Sequence, residues 1–394
     1  MTLLFWTLVG LILYGYVGYP LTAAVAGLVL DRRVVQRPIR PSVSVVVAAY
    51  DEGPNVRARI HNVLASEYPA ELLELVIASD GSSDDTVLRA LAVGSPRVRV
   101  LELPRRGKAA ALAEGARQAC GEILVFSDAN TEFRPDAIAM LVRNFADEGV
   151  GGVVGNTGYV VPESAESTGR GEDLYWRYDT WMKTLESRTG SVVSAHGGMY
   201  AVRRELFRPV DDPAVTDDFA ISTAVVAQGM RLVFEPRAIG LEATMPRSGT
   251  EFRRRVRVMT RGLRGVLLRR ALLNPLRHGF YAVALASRKV LRRVLPITFP
   301  VLVATTLALA PGSLFFAAVA AAQLVLIGLA LAGWALRRTG PGRSPLLYVP
   351  FFFCLANLAS VVAVFNVARG SRIERWTPHR HEGLAASAGR PRHA

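Results

Sequence analysis

The sequence predicts an α/β domain built on a mixed, mainly parallel sheet, with transmembrane helices before and after it. Three observations carry this. Between residues 41 and 250, short β-branched runs alternate with segments of helical period. Residues 3–30 carry no charge, and three further apolar runs occupy 297–310, 314–336 and 346–368. Acidic side chains gather where successive strands end.

The run 3–30 is long enough to cross about 30 Å of hydrocarbon as a helix. A signal peptide has a basic start and a short apolar core, whereas here no basic side chain precedes Arg32. An uncleaved anchor over 1–33 is therefore expected. "VSVVVAAY" (43–50) is too short for a helix and reads as a buried strand. "NVRARIHNVLAS" (55–66) follows with Val56, Ile60, Val63 and Leu64 on one side of a helix. "LELVIASD" (73–80) is the second strand, and "SDDTVLRALAV" (83–93) opens with residues suited to a helix N-cap. "RVRVLEL" (97–103), "GKAAALAEGARQA" (107–119) and "EILVFSD" (122–128) continue as strand, helix, strand. Such alternation argues for parallel pairing, with ligands outside the strands' carboxyl ends. Tyr50, Asp51 and Glu52, then Asp80, then Asp128 and Asn130, fall at those ends. Each cluster taken singly reads equally as a turn or a helix cap; three in one sheet point to a site. There is no G-x-G-x-x-G after the first strand and no Walker-type loop, so dinucleotide and P-loop binding are unsupported.

The net charge is +14, and its placement matters more than its size. Residues 251–295 hold 13 Arg and Lys against one acid, Glu251. Positive charge beside membrane runs marks a cytoplasmic face and suits anionic headgroups. Nucleic acid is disfavoured as a partner, because the patch lacks interleaved aromatics. A basic interfacial segment is expected over 251–296, two or three spans over 297–368, and a basic polar tail over 369–394. A first C-terminal run of 14 residues leaves open whether it crosses or re-enters. Cys120 and Cys354 offer no disulfide framework and no metal-ligand spacing, which suits a cytosolic middle block.

Six segments occur in order: "VSVVVAAYDEGPNV", "ASDGSSDDT", "RRGKAAALAEG", "FSDANT", "HGGMYAVRRE" and "TDDFAISTAVVAQGMRLVFEP". Together they resemble the membrane-bound family 2 glycosyltransferases of GT-A fold, the group with cellulose, hyaluronan and chitin-oligosaccharide synthases. The resemblance spans about 40 to 300, with the catalytic domain expected over 40–250. It implies inverting sugar transfer from a nucleoside-diphosphate sugar, most often a UDP-sugar, to a glycan or lipid-linked acceptor at the bilayer. It implies that Tyr50, Glu52 and Asp80 hold the nucleoside and that Lys108 lies near the donor. Asp128 and Asn130 stand in the family's D-x-D position, for Mg2+ or Mn2+, with Asn replacing the second carboxylate. Asp218, beside Asp217 in "TDDF", takes the place of the catalytic base; Gly197, Gly198 and Arg203 match a G-x5-R element near the acceptor.

The chemistry can be argued apart from the family. Breaking a sugar–phosphate bond leaves a diphosphate that a divalent cation stabilises as a Lewis acid. Magnesium often takes only one or two carboxylates plus phosphate oxygens. The attacking hydroxyl needs a base, and a carboxylate crowded by its neighbour suits this. "VTDDFAIS" reads equally as a helix start capped by Thr216. "FRRRVRVMTRG" (252–262) falls where the family often carries Q-x-x-R-W. Arg257 keeps the family's Arg, able to grip phosphate, while Arg254 and Val258 replace Gln and Trp. Losing that Trp leans toward a single transfer or a short product. Trp376 and Arg380 match a Trp-and-Arg element of some members. Two alternatives remain: an inactive nucleotide-binding membrane scaffold, and a sugar nucleotidyltransferase, whose Gly-rich N-terminal loop is missing.

Overall fold

The computed structural model describes residues 1–160, 168–210, 212–243, 248–337 and 339–373. The chain divides into two compact units, one formed by Ala26–Pro246 and one by Met1–Val25 with Arg247–Ile373.

Helices α1 (Thr2–Leu13) and α2 (Tyr19–Leu30) open the chain, joined by a π-helical turn, Tyr14–Gly18. The first unit then follows the expected alternation. Its elements are β1 (Val43–Ala49), α3 (Gly53–Leu64), β2 (Leu73–Asp80), α4 (Thr86–Leu91), β3 (Val98–Leu103), α5 (Lys108–Gln118) and β4 (Ile123–Asp128). Next come β5 (Thr131–Phe133), α6 (Ala137–Val142), β6 (Val150–Val160), α7 (Thr168–Thr189), β7 (Tyr200–Arg203), α8 (Asp217–Ala227) and β8 (Arg231–Ala243).

The eight strands form one sheet in the order β3-β2-β1-β4-β7-β6-β8-β5. β1 pairs in parallel with β2 and β4, and β2 with β3. β7 runs antiparallel to β4 and β6, and β5 antiparallel to β8. β1 is buried along its whole length, as its continuous Val and Ala run requires of a central strand covered on both faces. β3 lies at the edge and is only half-buried. α3 lays Val56, Ile60 and Val63 on the sheet. α5 approaches so closely that a Cβ on Gly115 would stand 2.6 Å from Val46 Cγ1. Ala48 is registered with Asp128, and Ala49 with Ser79. The strand ends bearing Tyr50, Asp80 and Asp128 therefore lie side by side.

The stretch before β1 is tied down. Arg32 N donates to Arg188 O, and the Arg231 guanidinium returns to Arg32 O at 2.6 Å. Gln36 Nε2 donates to Asn144 Oδ1 (2.8 Å) and to Glu235 Oε2 (3.0 Å). Glu235 is fully buried, and Arg143 pairs with it at 2.8 Å.

In the second unit, α9 (Ser248–Leu268) carries the arginines of the expected interfacial segment. Among the described residues, four helices are long and apolar enough to cross a membrane: Thr2–Leu30, Phe280–Gly312, Leu314–Leu336 and Pro345–Ala368. The short run at 297–310 thus proves to be the end of a 33-residue helical stretch, so its length is no obstacle to crossing. The basic residues 286–293 belong to that same stretch, as a π-helical segment and the helical turn after it. Trp376 and Arg380 lie outside the described residues.

Candidate active site

The site is built at the carboxyl ends of β1, β2 and β4, with the start of α8 brought beside them. Asp128 ends β4, with its side chain one-third exposed. Lys108, the first residue of α5, reaches Asp128 Oδ1 with Nζ at 2.5 Å and Asp217 Oδ2 at 3.2 Å. The second approach is an ion pair by distance but lacks hydrogen-bond geometry, so Asp217 Oδ2 is buried without a hydrogen bond. Burial works against the charge of Lys108. Asp128, then Asp217 and Asp218, outweigh it and raise its pKa above the ordinary lysine value. It is an ammonium at any physiological pH.

Asp218 is half-buried, and its Oδ1 accepts from Phe219 N at 2.7 Å. Both acids stand in the first turn of α8, where exposed amide dipoles favour negative charge. Thr216 occupies the N-cap position, but its hydroxyl makes no capping bond. Ser222 ties the helix to the loop before β7: its hydroxyl donates to Asp218 O (2.6 Å) and accepts from Ala195 N (3.0 Å). In that loop Gly197 lies against the ion pair. A Cβ there would be 3.1 Å from Asp128 Oδ2 and 3.4 Å from Lys108 Nζ. At Gly198 a Cβ would meet Glu242 Oε1 at 2.5 Å and Thr157 Cγ2 at 2.6 Å.

Glu52 is half-buried, and Asn55 Nδ2 donates to its Oε2 at 2.8 Å. Burial raises its pKa, Asn55 opposes that, and Asp128, Asp84 and Asp51 push it further up. Asp84 does not cap its own helix in the expected way; the N-cap of α4 is Asp85. The Asp84 carboxylate instead accepts from Gly53 N and Thr86 N, both at 3.0 Å, and from the Thr86 hydroxyl. It thereby serves the first turns of two helices.

Two expected residues do other work. Asp80 is buried, and its carboxylate, expected to hold a nucleoside, accepts from the amides of Arg106 (2.7 Å) and Gly107 (2.9 Å) and from the Arg105 guanidinium. It holds the 105–107 loop against β2. Arg203 lies at the opposite end of the sheet, registered with Ile123 at the start of β4. Its guanidinium donates to the carbonyls of Phe145 and Val150, both at 2.9 Å, and to Asp147. The G-x5-R spacing therefore joins a site glycine to a scaffold arginine. Six residue steps along an extended chain cover on the order of 20 Å. Arg257 belongs to the other compact unit, on α9, where burial and then Arg261 and Arg254 lower its pKa. Asn130 is half-buried in the turn between β4 and β5.

Three residues escaped sequence reasoning. Arg59 is buried on the sheet-facing side of α3, with its guanidinium 4.0 Å from the Phe133 ring centroid. It donates to Ser127 Oγ (2.9 Å) and Asn62 Oδ1 (2.7 Å) beneath the Asp128 turn. Burial lowers its pKa to about 9, against Asp128, Glu132 and Glu242. Its signal was a charge three residues after Val56 and four before Val63, on the apolar face. Arg105 lies 3.4 Å from the Tyr50 ring centroid, a cation–π contact that no spacing announces. Tyr200 is fully buried and its hydroxyl has no hydrogen-bond partner. Burial, with Asp217, Asp218 and Asp128 near it, raises its pKa well above the ordinary value.

Among the described residues, no group of three or more His, Cys, Asp or Glu forms a metal cage. The set that is present fits a cation held partly by a substrate: one strand-end carboxylate, with a bare glycine beside its second oxygen.

Residues 44–210 match the family described as glycosyl transferase family 2. An N-acetylglucosaminyltransferase of Mesorhizobium japonicum is 24% identical over 251 residues, which are 60% of this chain and 59% of the relative. A poly-β-1,6-N-acetyl-D-glucosamine synthase of Staphylococcus aureus is 28% identical over 234 residues, 58% of this chain and 56% of the relative. The chain thus spans a little over half the length of these curated relatives. A solved mannosyltransferase of Pyrobaculum calidifontis, in complex with GDP-Man and Mn2+, superposes with a TM-score of 0.67 at 25% identity. The superposition covers 92% of this chain and 98% of that one. Sheet order, strand-end acids and these likenesses agree: residues 44–210 carry the match to glycosyl transferase family 2, and the fold is GT-A.

Proposed function

We propose that this chain transfers a sugar, with inversion, from a nucleoside-diphosphate sugar to a lipid-linked, oligosaccharide or polysaccharide acceptor at a membrane. The observation that carries the reading is the convergence of Asp128, Lys108, Asp217 and Asp218 beside Gly197.

Each group has work to do. Tyr50 and Glu52 border the nucleoside side of the site, and Asp80 shapes it through the 105–107 loop. Asp128, with Asn130 and the donor's phosphates, would hold Mg2+ or Mn2+, which supplies Lewis-acid stabilisation of the leaving diphosphate. Lys108 adds a second positive charge to that diphosphate. Asp218, with one oxygen fixed by Phe219 N, takes the proton of the attacking hydroxyl through the other. Gly197 and Gly198 keep the acceptor side open. A UDP-sugar is the first donor to try, because the curated relatives act on N-acetylglucosamine by name. GDP-mannose is the second, from the superposed mannosyltransferase. The apolar helices support a membrane setting, and a polysaccharide product is suggested by the name of the Staphylococcus aureus relative. Arg32 and Arg33 after the first helix support a cytoplasmic catalytic domain.

The full chain in detergent, incubated with a panel of nucleotide sugars and Mn2+, is expected to release the matching nucleoside diphosphate. Asp218→Asn and Asp128→Ala should each lose at least about 100-fold in rate while remaining folded. Full activity in both variants would leave an inactive-looking site and sink the assignment. A product ladder from labelled donor would show polymer growth, and one product a single transfer.

A further inference from the structure

We propose that Lys108 is a resident counter-cation, whose ammonium occupies Asp128 in the absence of donor and must give it up before a divalent cation can be held there. The inference rests on reading the site as one for a metal and a nucleoside diphosphate. It goes beyond that reading by making metal loading depend on the donor's arrival.

The geometry is direct. Asp128 and Asp217 come from different elements, the end of β4 and the start of α8, and Lys108 Nζ bridges them. An ammonium 2.5 Å from Asp128 Oδ1 occupies the space a divalent cation would need. Such a cation sits about 2.0–2.2 Å from a carboxylate oxygen. Placing both on Asp128 would set a double charge against a single one at contact distance, in a place where the Lys108 side chain is only 14% exposed. Without a donor, the displaced ammonium keeps only part of its present compensation, because Asp128 Oδ1 at 2.5 Å is its nearer partner and Asp217 Oδ2 stands at 3.2 Å. A diphosphate offers that ammonium new anionic oxygens. Asp217 Oδ2, buried and without a hydrogen bond, stands ready to keep hold of it as it leaves Asp128. Gly197 leaves the second Asp128 oxygen unobstructed. Metal and donor should therefore load together, and metal alone should bind poorly.

The test is Mn2+ binding to the full chain in detergent, without nucleotide, read as free Mn2+ by electron paramagnetic resonance. Lys108→Met and Lys108→Gln should each bind Mn2+ about 10-fold or more tighter than wild type, because the competing charge is gone. Lys108→Arg, which keeps a cation, should stay near wild type. Adding Asp128→Ala to Lys108→Met should abolish the gain. Equal or weaker Mn2+ binding by both neutral variants, or tight binding by the wild type, overturns the proposal. Failure of UDP and GDP to bind any of these proteins with Mn2+ present overturns the donor reading instead. The nucleotide-free comparison stands apart from it.

Discussion

Glu52 shows how a site residue can be held at a cost. Burial raises its pKa, and its acidic neighbours Asp128, Asp84 and Asp51 add to that effect, so its folded pKa lies above the free glutamate value. A carboxyl with a raised folded pKa favours the native state below its unfolded pKa, and loses that contribution as pH rises through the folded value. At neutral pH the Glu52 charge therefore opposes folding. Glu52→Gln keeps an oxygen for Asn55 and should raise the melting temperature at pH 7. That gain should shrink as pH falls below the glutamate range, while donor affinity drops; a melting temperature lowered at pH 7 would contradict this. Arg59 lies at the other extreme. Its guanidinium is buried under the Asp128 turn, so Arg59→Ala removes a donor from both Ser127 and Asn62 and opens a void beside Phe133. A loss of about 3 kcal/mol is expected in denaturant unfolding. Residue positions were legible where the place in an element sets them, as for Asp128 at a strand end and Asp218 in the first turn of a helix. They were illegible where two loops decide the partner. Asp80 reads as a ligand-facing acid until the amides of 106 and 107 are seen on it.

At the scale of elements, the first four strands and their helices could be read to within about two residues, because buried parallel strands are continuous apolar runs. The second half of the sheet could not. β5 has three residues and β7 four, too few to show a period. β8 passes through Pro236, which argues against a strand. The register jumps there, from the Gly155–Glu235 pair to Asn156–Ile239, so the proline lies in an irregularity that spares the ladder. The loop between α7 and β7 supplies the two glycines, and they are not equivalent. At Gly197 an added methyl presses on a side-chain carboxylate able to shift. At Gly198 it meets Glu242 and Thr157 together, while the Gly198 carbonyl is held by Ser127 Oγ at 2.8 Å. Gly198→Ala should cost about 2 kcal/mol of stability and most of the activity. Gly197→Ala should fold nearly normally and lose activity selectively. Melting curves and initial rates on the two proteins would separate them, and equal stability losses would refute the distinction.

For the whole molecule, charge and hydropathy point to two kinds of material in one chain, and its contacts cluster into two units. The boundary differs from the sequence expectation on one side. Residues 26–39 belong with the sheet unit, although a domain starting at 40 was the natural reading of a linker rich in Arg and Pro. Composition describes what a segment would do alone, and this one is held by partners more than 100 residues away in sequence. Glu235 makes the point sharply. Its carboxylate is sealed in the interior, and Gln36 is one of the donors that keep it satisfied. A soluble fragment cut at residue 40 would leave that carboxylate short of a donor, whereas one cut at 26 would not. The shorter fragment should melt roughly 4–8 °C lower, the equivalent of about 2 kcal/mol in a domain of this size. Identical melting points would show the strap to be dispensable. The practical meaning concerns proteolysis and expression. The stretch that looks like a tether is a seat belt, and a protease or a cloning boundary that treats it as slack would release a domain already losing its grip on its own core.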